Sequence, residues 1–184
     1  MTVWKKNMLM ITLASLIGLS VTGAVYFFTR SPAFFSAAIT FGTTFYHFAI
    51  RLTVGRLVDA KYHNRMDYTN KWFTEKPFER KFYKLIQVRK WKKHFPTLNP
   101  QDFDLKNRSV AEIIQAACQA EVVHEINMVL SLLPVFSSVW FGSLGVFLLT
   151  SCAALLFDCI FVIMQRYNRP RLIRLMKKQR SPAV

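Results

Sequence analysis

The sequence lacks the features that mark several common protein classes. Its three cysteines among 184 residues, Cys118, Cys152 and Cys159, show no C-x-x-C spacing, which excludes a disulfide-stabilised scaffold. The chain has no internal repeat period, so collagen, coiled coils and repeat arrays are excluded as well. It has six glycines and no glycine-rich phosphate-binding loop. Acidic residues are also scarce, since ten Asp and Glu stand against 25 Lys and Arg.

Apolar residues and positive charge dominate what remains. Apolar residues make up 52% of the chain, phenylalanine alone occurs 17 times, and the formal net charge is +15. This apolar content excludes intrinsic disorder. It is typical of an integral membrane protein with a basic cytoplasmic side. The cations are spread along segments that flank apolar runs, so we expect no nucleic-acid partner.

Four apolar segments are candidates for crossing a bilayer, which requires about 20 residues. They are residues 8–28, 32–50, 122–141 and 144–164. The third segment reaches this length only if Val122 and Val123 belong to it, and Pro134 is expected to kink it.

The distribution of Lys and Arg predicts the topology. Basic side chains concentrate in cytoplasmic connections because they resist translocation. Arg30, between the first two segments, is the only Lys or Arg on the opposite side. We therefore predict one all-α membrane domain over residues 1–184, a four-helix bundle of two hairpins with both termini in the cytoplasm. It would lie in the plasma membrane, with a cytoplasmic interfacial segment at 51–121 and a basic tail at 165–184.

The segment between spans two and three carries two helix signals. From Phe78 to Trp91, apolar residues at helical spacing stand among Lys and Arg, which predicts an amphipathic helix lying in the membrane interface. The alternative is a helix packed on its own protein. Ser109 and Glu112 have the spacing of a capping box, so a helix is expected to begin there and to continue into the third span.

Glu121 and His124 form the first candidate catalytic pair. Their i, i+3 spacing places both on one face of a helix. A carboxylate beside an imidazole can orient the ring, which is the arrangement of a general base. The alternative is two solvated polar residues at a helix end. A di-iron site would need this Glu-x-x-His pattern twice, and no close histidine pair favours zinc, so we predict no metal.

Two further polar residues lie inside the predicted spans. His47 and Asp158 are expected at the depth of Glu121 and His124, where they would form a supporting layer or hold the acceptor. An intramembrane Asp needs a partner, for which His47, His124 and Tyr46 are candidates. The alternative for Asp158 is a structural hydrogen bond between helices.

A basic cluster follows the fourth span directly. Arginine forks suit phosphate groups, so we expect the cluster to bind the phosphates of a donor such as acyl-CoA, or of a lipid headgroup. The alternative is simple positive-inside anchoring. The candidate binding residues are Gln165, Arg166, Tyr167, Asn168, Arg169 and Arg171, with Trp91 and Lys92 facing the same region.

Three short stretches resemble one known family. They are VRKWK at Val88–Lys92, AEVVH at Ala120–His124 and QRYNRPRL at Gln165–Leu172. Together they are similar to the glycosyl-4,4'-diaponeurosporenoate acyltransferase family, which acts late in a bacterial carotenoid pigment pathway. The resemblance covers roughly residues 82–178 and departs from the family pattern at Gln119 and Glu125, where the family tends to have Arg and Trp. It implies a bacterial membrane enzyme that transfers a fatty acyl group to a sugar hydroxyl of a glycolipid.

These observations favour acyl transfer to a hydroxyl or amine of a membrane lipid on the cytoplasmic side. His124 would be the general base and Glu121 its orienting group, with an acyl donor, a lipid or glycolipid acceptor and no bound cofactor. Two alternatives stay open. One is a small lipid methyltransferase or reductase that uses a soluble nucleotide cofactor, and the other is a non-catalytic lipid-binding or assembly subunit. The sequence does not predict the oligomeric state.

Overall fold

The structure is a computed structural model that describes residues 2–95 and 100–180; residues 181–184 of the predicted tail lie outside it. Every regular element among the described residues is helical, as predicted. The α-helices are α1 (Val3–Thr29), α2 (Pro32–Tyr62), α3 (Glu79–Leu85), α4 (Val88–Trp91), α5 (Val110–Leu130), α6 (Leu133–Phe136), α7 (Ser138–Phe141) and α8 (Leu144–Arg180). Short 3₁₀ turns lie at Lys71–Phe73, Lys92–His94 and Pro100–Phe103.

Among the residues that the structure describes, four helical stretches are long and apolar enough to span a membrane, which confirms the predicted number. They are Val3–Thr29, Pro32–Tyr62, Val110–Phe141 and Leu144–Gln179. Two of the helices continue well beyond the predicted spans. In α2, the buried residues Val54 and Val58 stand at i, i+4 spacing, so burial of one helix face extends past residue 50. In α8, the helix runs through Pro170 and includes most of the basic tail.

The chain divides into two compact units, which we describe separately. The first unit comprises residues 1–56 and 126–158, and the second comprises residues 57–125 and 159–184. The division falls inside α2, α5 and α8. Of the predicted catalytic residues, His47 and Asp158 belong to the first unit, whereas Glu121 and His124 belong to the second.

Pro134 ends α5 in the first unit. A proline has no backbone N–H and cannot bond the carbonyl four residues earlier, which here is that of Leu130. The helix stops at Leu130 and resumes as α6 at Leu133. The hydroxyl of Tyr46 donates to the freed Leu130 carbonyl at 2.9 Å. The predicted kink is therefore a complete break, and its exposed acceptor is satisfied by α2.

In the second unit, one of the two helix predictions is confirmed and the other is wrong. The backbone N–H of Ser109 donates to Glu112 at 2.8 Å and α5 begins at Val110, so the predicted helix start is confirmed. The single helix predicted from Phe78 to Trp91 is wrong. Gln87 has a left-handed φ of 51°, which separates α3 from α4.

Packing fixes the orientation of α3. Tyr83 is buried, and its ring meets that of Tyr167 on α8 edge-on at 5.7 Å between centroids. Val88 is fully buried in the same apolar cluster. The side chains of Phe78 and Leu85 are exposed by 65% and 79%, respectively. The segment thus packs on its own protein along one face and leaves apolar side chains exposed, and its place in the membrane interface stays a prediction.

Candidate active site

A buried cluster of four charges organises the second unit. Glu121 on α5 is fully buried, and one carboxylate oxygen accepts from Arg166 at 2.6 Å while the other accepts from Arg169. Arg166 also donates through Nε to Glu79 of α3 at 2.8 Å. We call Glu79, Glu121, Arg166 and Arg169 the four-charge cluster. Two acids and two arginines compensate each other, which burial of charge requires.

The two arginines of the four-charge cluster also bind the backbone near the 3₁₀ turn at Lys71–Phe73. Arg169 donates to the carbonyl of Phe73 at 3.1 Å, and its guanidinium carbon lies 4.8 Å from the centre of the Phe73 ring. Arg166 donates to the carbonyls of Trp72 and Thr74, each at 3.3 Å. The cluster therefore fastens this turn to α5 and α8.

His124 lies one turn beyond Glu121 on α5. Its ring is stacked on that of Phe161 of α8, with centroids 4.7 Å apart and planes inclined by 10°. The neighbouring Glu125 accepts a hydrogen bond from the indole N–H of Trp72 at 2.9 Å. The stacking holds the plane of the imidazole, which is a requirement for a base that must meet a proton at a defined angle.

The arginines around Glu121 were not expected from the sequence. Both oxygens of its carboxylate accept from arginines, and its suggested role in orienting His124 stays a prediction. Arg166 and Arg169 were expected to bind donor phosphates, and their guanidinium groups are instead neutralised by acids. A buried guanidinium needs a counterion of the protein itself, and Arg169 is only 1% exposed.

The other predicted binding residues surround Tyr167. Lys92 donates to the side-chain oxygen of Asn168 at 2.6 Å, and its amine lies 4.9 Å from the centre of the Tyr167 ring. Arg171 stacks on the same ring at 3.6 Å. The indole of Trp91 donates to the carbonyl of Ile86 at 2.8 Å, so it supports this region from α4. Gln165 is half-buried on α8.

A cavity of about 430 Å³ opens beside this group, and we call it the basic cleft. Tyr83 and Tyr167 are among the residues that line it, together with one acid, Glu75. The cations that line it are Arg80, Lys84, Arg89, Lys90, Arg171 and Arg174. Of the predicted binding residues, Tyr167 and Arg171 belong to the cleft. Arg80, Lys84 and Arg89 were predicted to lie in the membrane interface, so their part in a cavity was not expected.

In the first unit, Arg51 is a partner of Asp158 that the sequence did not suggest. The guanidinium of Arg51 donates to Asp158, to the carbonyl of Ala154 at 2.9 Å and to that of His47 at 2.6 Å. Arg51 was missed because it was read as the first cation beyond a span that ends at residue 50. Asp158 is fully buried and the Arg51 side chain is 8% exposed.

His47 does not provide the hydrogen bond to Asp158 that the sequence suggested. Its ring is buried, and neither ring nitrogen has a hydrogen-bond partner among the described residues. Arg51, one turn further along α2, reaches the carboxylate with a longer side chain. The expected convergence of His47 and Asp158 with Glu121 and His124 remains a prediction.

Arg51→Met is expected to destabilise the first unit by about 3–5 kcal/mol, because it leaves a buried carboxylate without its guanidinium. Thermal unfolding of the purified protein in detergent would measure the loss. Arg56→Met is the matched control, since Arg56 is exposed on the same helix and the same substitution should leave the midpoint nearly unchanged. Equal midpoints for the two variants would show that the pair contributes no stability.

Comparison with known proteins identifies the family. A model of the glycosyl-4,4'-diaponeurosporenoate acyltransferase family matches residues 69–178, which is more than half of the chain. No curated protein and no solved structure matches the sequence. The matched region contains the four-charge cluster, His124 and the basic cleft. Such enzymes need an acyl donor and a glycolipid acceptor, and family membership decides against the methyltransferase, reductase and non-catalytic alternatives. Since the described part of the chain also has four helices apolar enough to span a bilayer, the protein is a membrane acyltransferase that belongs to the glycosyl-4,4'-diaponeurosporenoate acyltransferase family.

Proposed function

We propose that this acyltransferase moves a fatty acyl group from a phosphate-bearing thioester donor to a hydroxyl of a membrane glycolipid, with His124 as the general base. An amine is the second acceptor that the same chemistry allows. The observation that carries the proposal is the placement of His124, whose ring is stacked on Phe161 one turn from the four-charge cluster.

In the proposed reaction, the imidazole of His124 accepts the proton of the acceptor hydroxyl. The hydroxyl oxygen attacks the thioester carbonyl and forms a new C–O bond. The C–S bond then breaks, the acyl group stays on the acceptor, and the thiolate receives the proton that the imidazole holds. The histidine is thereby returned to its starting state, and no external oxidant or metal enters the balance.

The oxyanion that develops on the carbonyl needs hydrogen-bond donors. Asn168 is our candidate donor. The Lys92 ammonium group can only donate hydrogen bonds, so its partner on Asn168 is the amide oxygen. The NH₂ group of Asn168 is left to donate to another acceptor. The amide is thus presented as a donor rather than as an acceptor.

Glu121 has a different role in this proposal from the one that the sequence suggested. It is a positioning residue that holds Arg166 and Arg169 and thereby joins α5 to α8 near the base. Asp158 serves the first unit as the counterion of Arg51.

The charge distribution supports a cytoplasmic active site. Positive side chains are retained in the cytoplasm during insertion, and the cations of α3, α4 and the end of α8 belong to the second unit with His124. This side of a bacterial plasma membrane is where soluble acyl thioesters are available. We therefore propose that the donor arrives from the cytoplasm and the acceptor from the inner leaflet.

The test is formation of an acylated glycolipid by the purified full-length chain in lipid nanodiscs. The nanodiscs would carry a bacterial glycolipid fraction, and the donor would be acyl-CoA with a labelled fatty acid. We expect mass spectrometry to show the label as an ester on the sugar. A folded protein that makes no acylated glycolipid, either from acyl-CoA or from acyl carrier protein, would refute the proposed reaction.

A further inference from the structure

The cations of the basic cleft are poorly compensated by acids. Glu75, the acid that lines the cleft, already accepts two hydrogen bonds from Arg80, at 2.9 and 3.0 Å. For the other lining cations Lys84, Arg89, Lys90 and Arg174, the described residues offer no ion pair. Positive charge therefore remains in excess inside a concave surface.

Other arginines on the same stretch of α8 do have acidic partners. Arg166 and Arg169 have acids as partners in the four-charge cluster. Arg171 and Arg174 follow on the next turn, line the cleft and are exposed. The buried arginines of α8 thus have carboxylate partners, whereas Arg171 and Arg174 at the cleft have none among the described residues.

Lys92 lies outside the lining of the cleft but close to two of its cations, Arg171 and Arg89. Burial and the nearby charges of Arg171 and Arg89 lower the pKa of the Lys92 amine below its usual value. Positive groups held close together without counterions are the electrostatic signature of an anion site. A bound anion would remove this repulsion.

Tyr83 and Tyr167 line the cleft, although these residues are only 8% and 7% exposed, respectively. The rings of Tyr83 and Tyr167 lie edge-on to each other at 5.7 Å between centroids. Burial raises the pKa of the Tyr83 phenol, so this side chain stays neutral and does not oppose an anion. A volume of about 430 Å³ accommodates more than a single phosphate and falls within the range of small-molecule sites.

We propose that the basic cleft binds a ligand with at least two phosphates and an aromatic base, that is, a nucleoside bisphosphate or diphosphate. The cations of α3, α4 and α8 would bind the phosphates, and the base would lie against the small part of the two tyrosine side chains that stays exposed. The assignment to the donor of the transfer reaction rests on the proposed function. A phosphorylated lipid headgroup could supply the same phosphate groups, and the last arm of the experiment distinguishes it from a soluble nucleotide.

Isothermal titration calorimetry on the purified full-length chain in neutral detergent tests this site. The probes are adenosine 3',5'-bisphosphate, adenosine 5'-monophosphate and inorganic phosphate. We expect the bisphosphate to bind at least about tenfold more tightly than either of the others, and its affinity to fall with added salt. Equal affinity for the bisphosphate and for inorganic phosphate would overturn the proposal.

The double variant Arg89→Gln/Lys90→Gln is expected to weaken bisphosphate binding by about tenfold or more, because two charge-assisted contacts are lost. Lys106→Gln is the matched control, since Lys106 is an exposed cation of the second unit outside the cleft, and it should bind as the wild type does. If both proteins bind the bisphosphate equally well, the cleft is not the site.

A final arm distinguishes the two sources of phosphate. The titration is repeated in nanodiscs of phosphatidylcholine and in nanodiscs that contain phosphatidylglycerol. Unchanged bisphosphate affinity supports a soluble nucleotide ligand, whereas competition by the anionic lipid would overturn that assignment in favour of a headgroup. Binding requires no turnover, so intact binding without acyl transfer would count against the proposed reaction alone, and transfer without binding would count against the cleft alone.

Discussion

His124→Ala is expected to lower acyl transfer by about 10²–10⁴-fold, which is the usual contribution of a general base. The reason is chemical, because no other group would be held in place to accept the proton of the acceptor hydroxyl. Loss of stacking on Phe161 should affect the fold only slightly, since the imidazole is half-buried. The measurement is the initial rate of labelled ester formation in nanodiscs, at saturating donor.

Two comparisons make this result specific. His63→Asn is the matched control, because His63 is exposed, its φ of 47° suits asparagine, and transfer should remain at the wild-type rate. His124→Gln separates packing against Phe161 from basicity, because the glutamine side chain fills part of the space but its amide is not protonated near neutral pH. Transfer by His124→Ala at the wild-type rate, with normal expression, would remove the histidine from the mechanism.

Glu121→Gln is expected to destabilise the second unit by about 3–5 kcal/mol, because it removes the charge that faces two guanidinium groups in a buried site. Glu79 would remain as the acid for Arg166, while Arg169, which is 1% exposed, would keep its charge without a carboxylate. The measurement is the midpoint of thermal unfolding in detergent, together with the yield of folded protein.

The control for this effect lies on the next turn of α5. Glu125→Gln keeps an oxygen that can accept the indole N–H of Trp72, so its midpoint should stay close to that of the wild type. Adding Arg169→Met to Glu121→Gln should restore part of the stability, because both buried charges are then gone. A double variant that is less stable than Glu121→Gln alone would contradict this account of the cluster.

The sequence predicted the parts of the fold that depend on local patterns. Long apolar runs specify spanning helices because the backbone must satisfy its own hydrogen bonds in a bilayer. The capping box at Ser109 and Glu112 marked the start of α5 for the same local reason. The break at Gln87 escaped prediction, because a left-handed residue within a helical pattern depends on how Tyr83 and Val88 pack against Tyr167.

The sequence predicted which residues belong to the candidate site better than it predicted which residues they contact. Glu121, His124 and the arginines after the fourth span were recognised from spacing and charge. Their pairing depends on contacts between residues that are far apart in the sequence, such as Glu79 with Arg166, and no spacing rule gives such contacts. One signal for Glu79 was available, since it is the only acid between Pro77 and His94, and a lone acid in a basic stretch often has an arginine partner.

The four-charge cluster has a consequence for biosynthesis. Glu79 and Glu121 leave the ribosome well before Arg166 and Arg169, which belong to α8. Until that helix emerges, both carboxylates lack the counterions that they have in the finished protein and must remain hydrated. The second unit can therefore close only after α8 has been synthesised, so its charged core forms in one step that follows the emergence of all three helices rather than helix by helix.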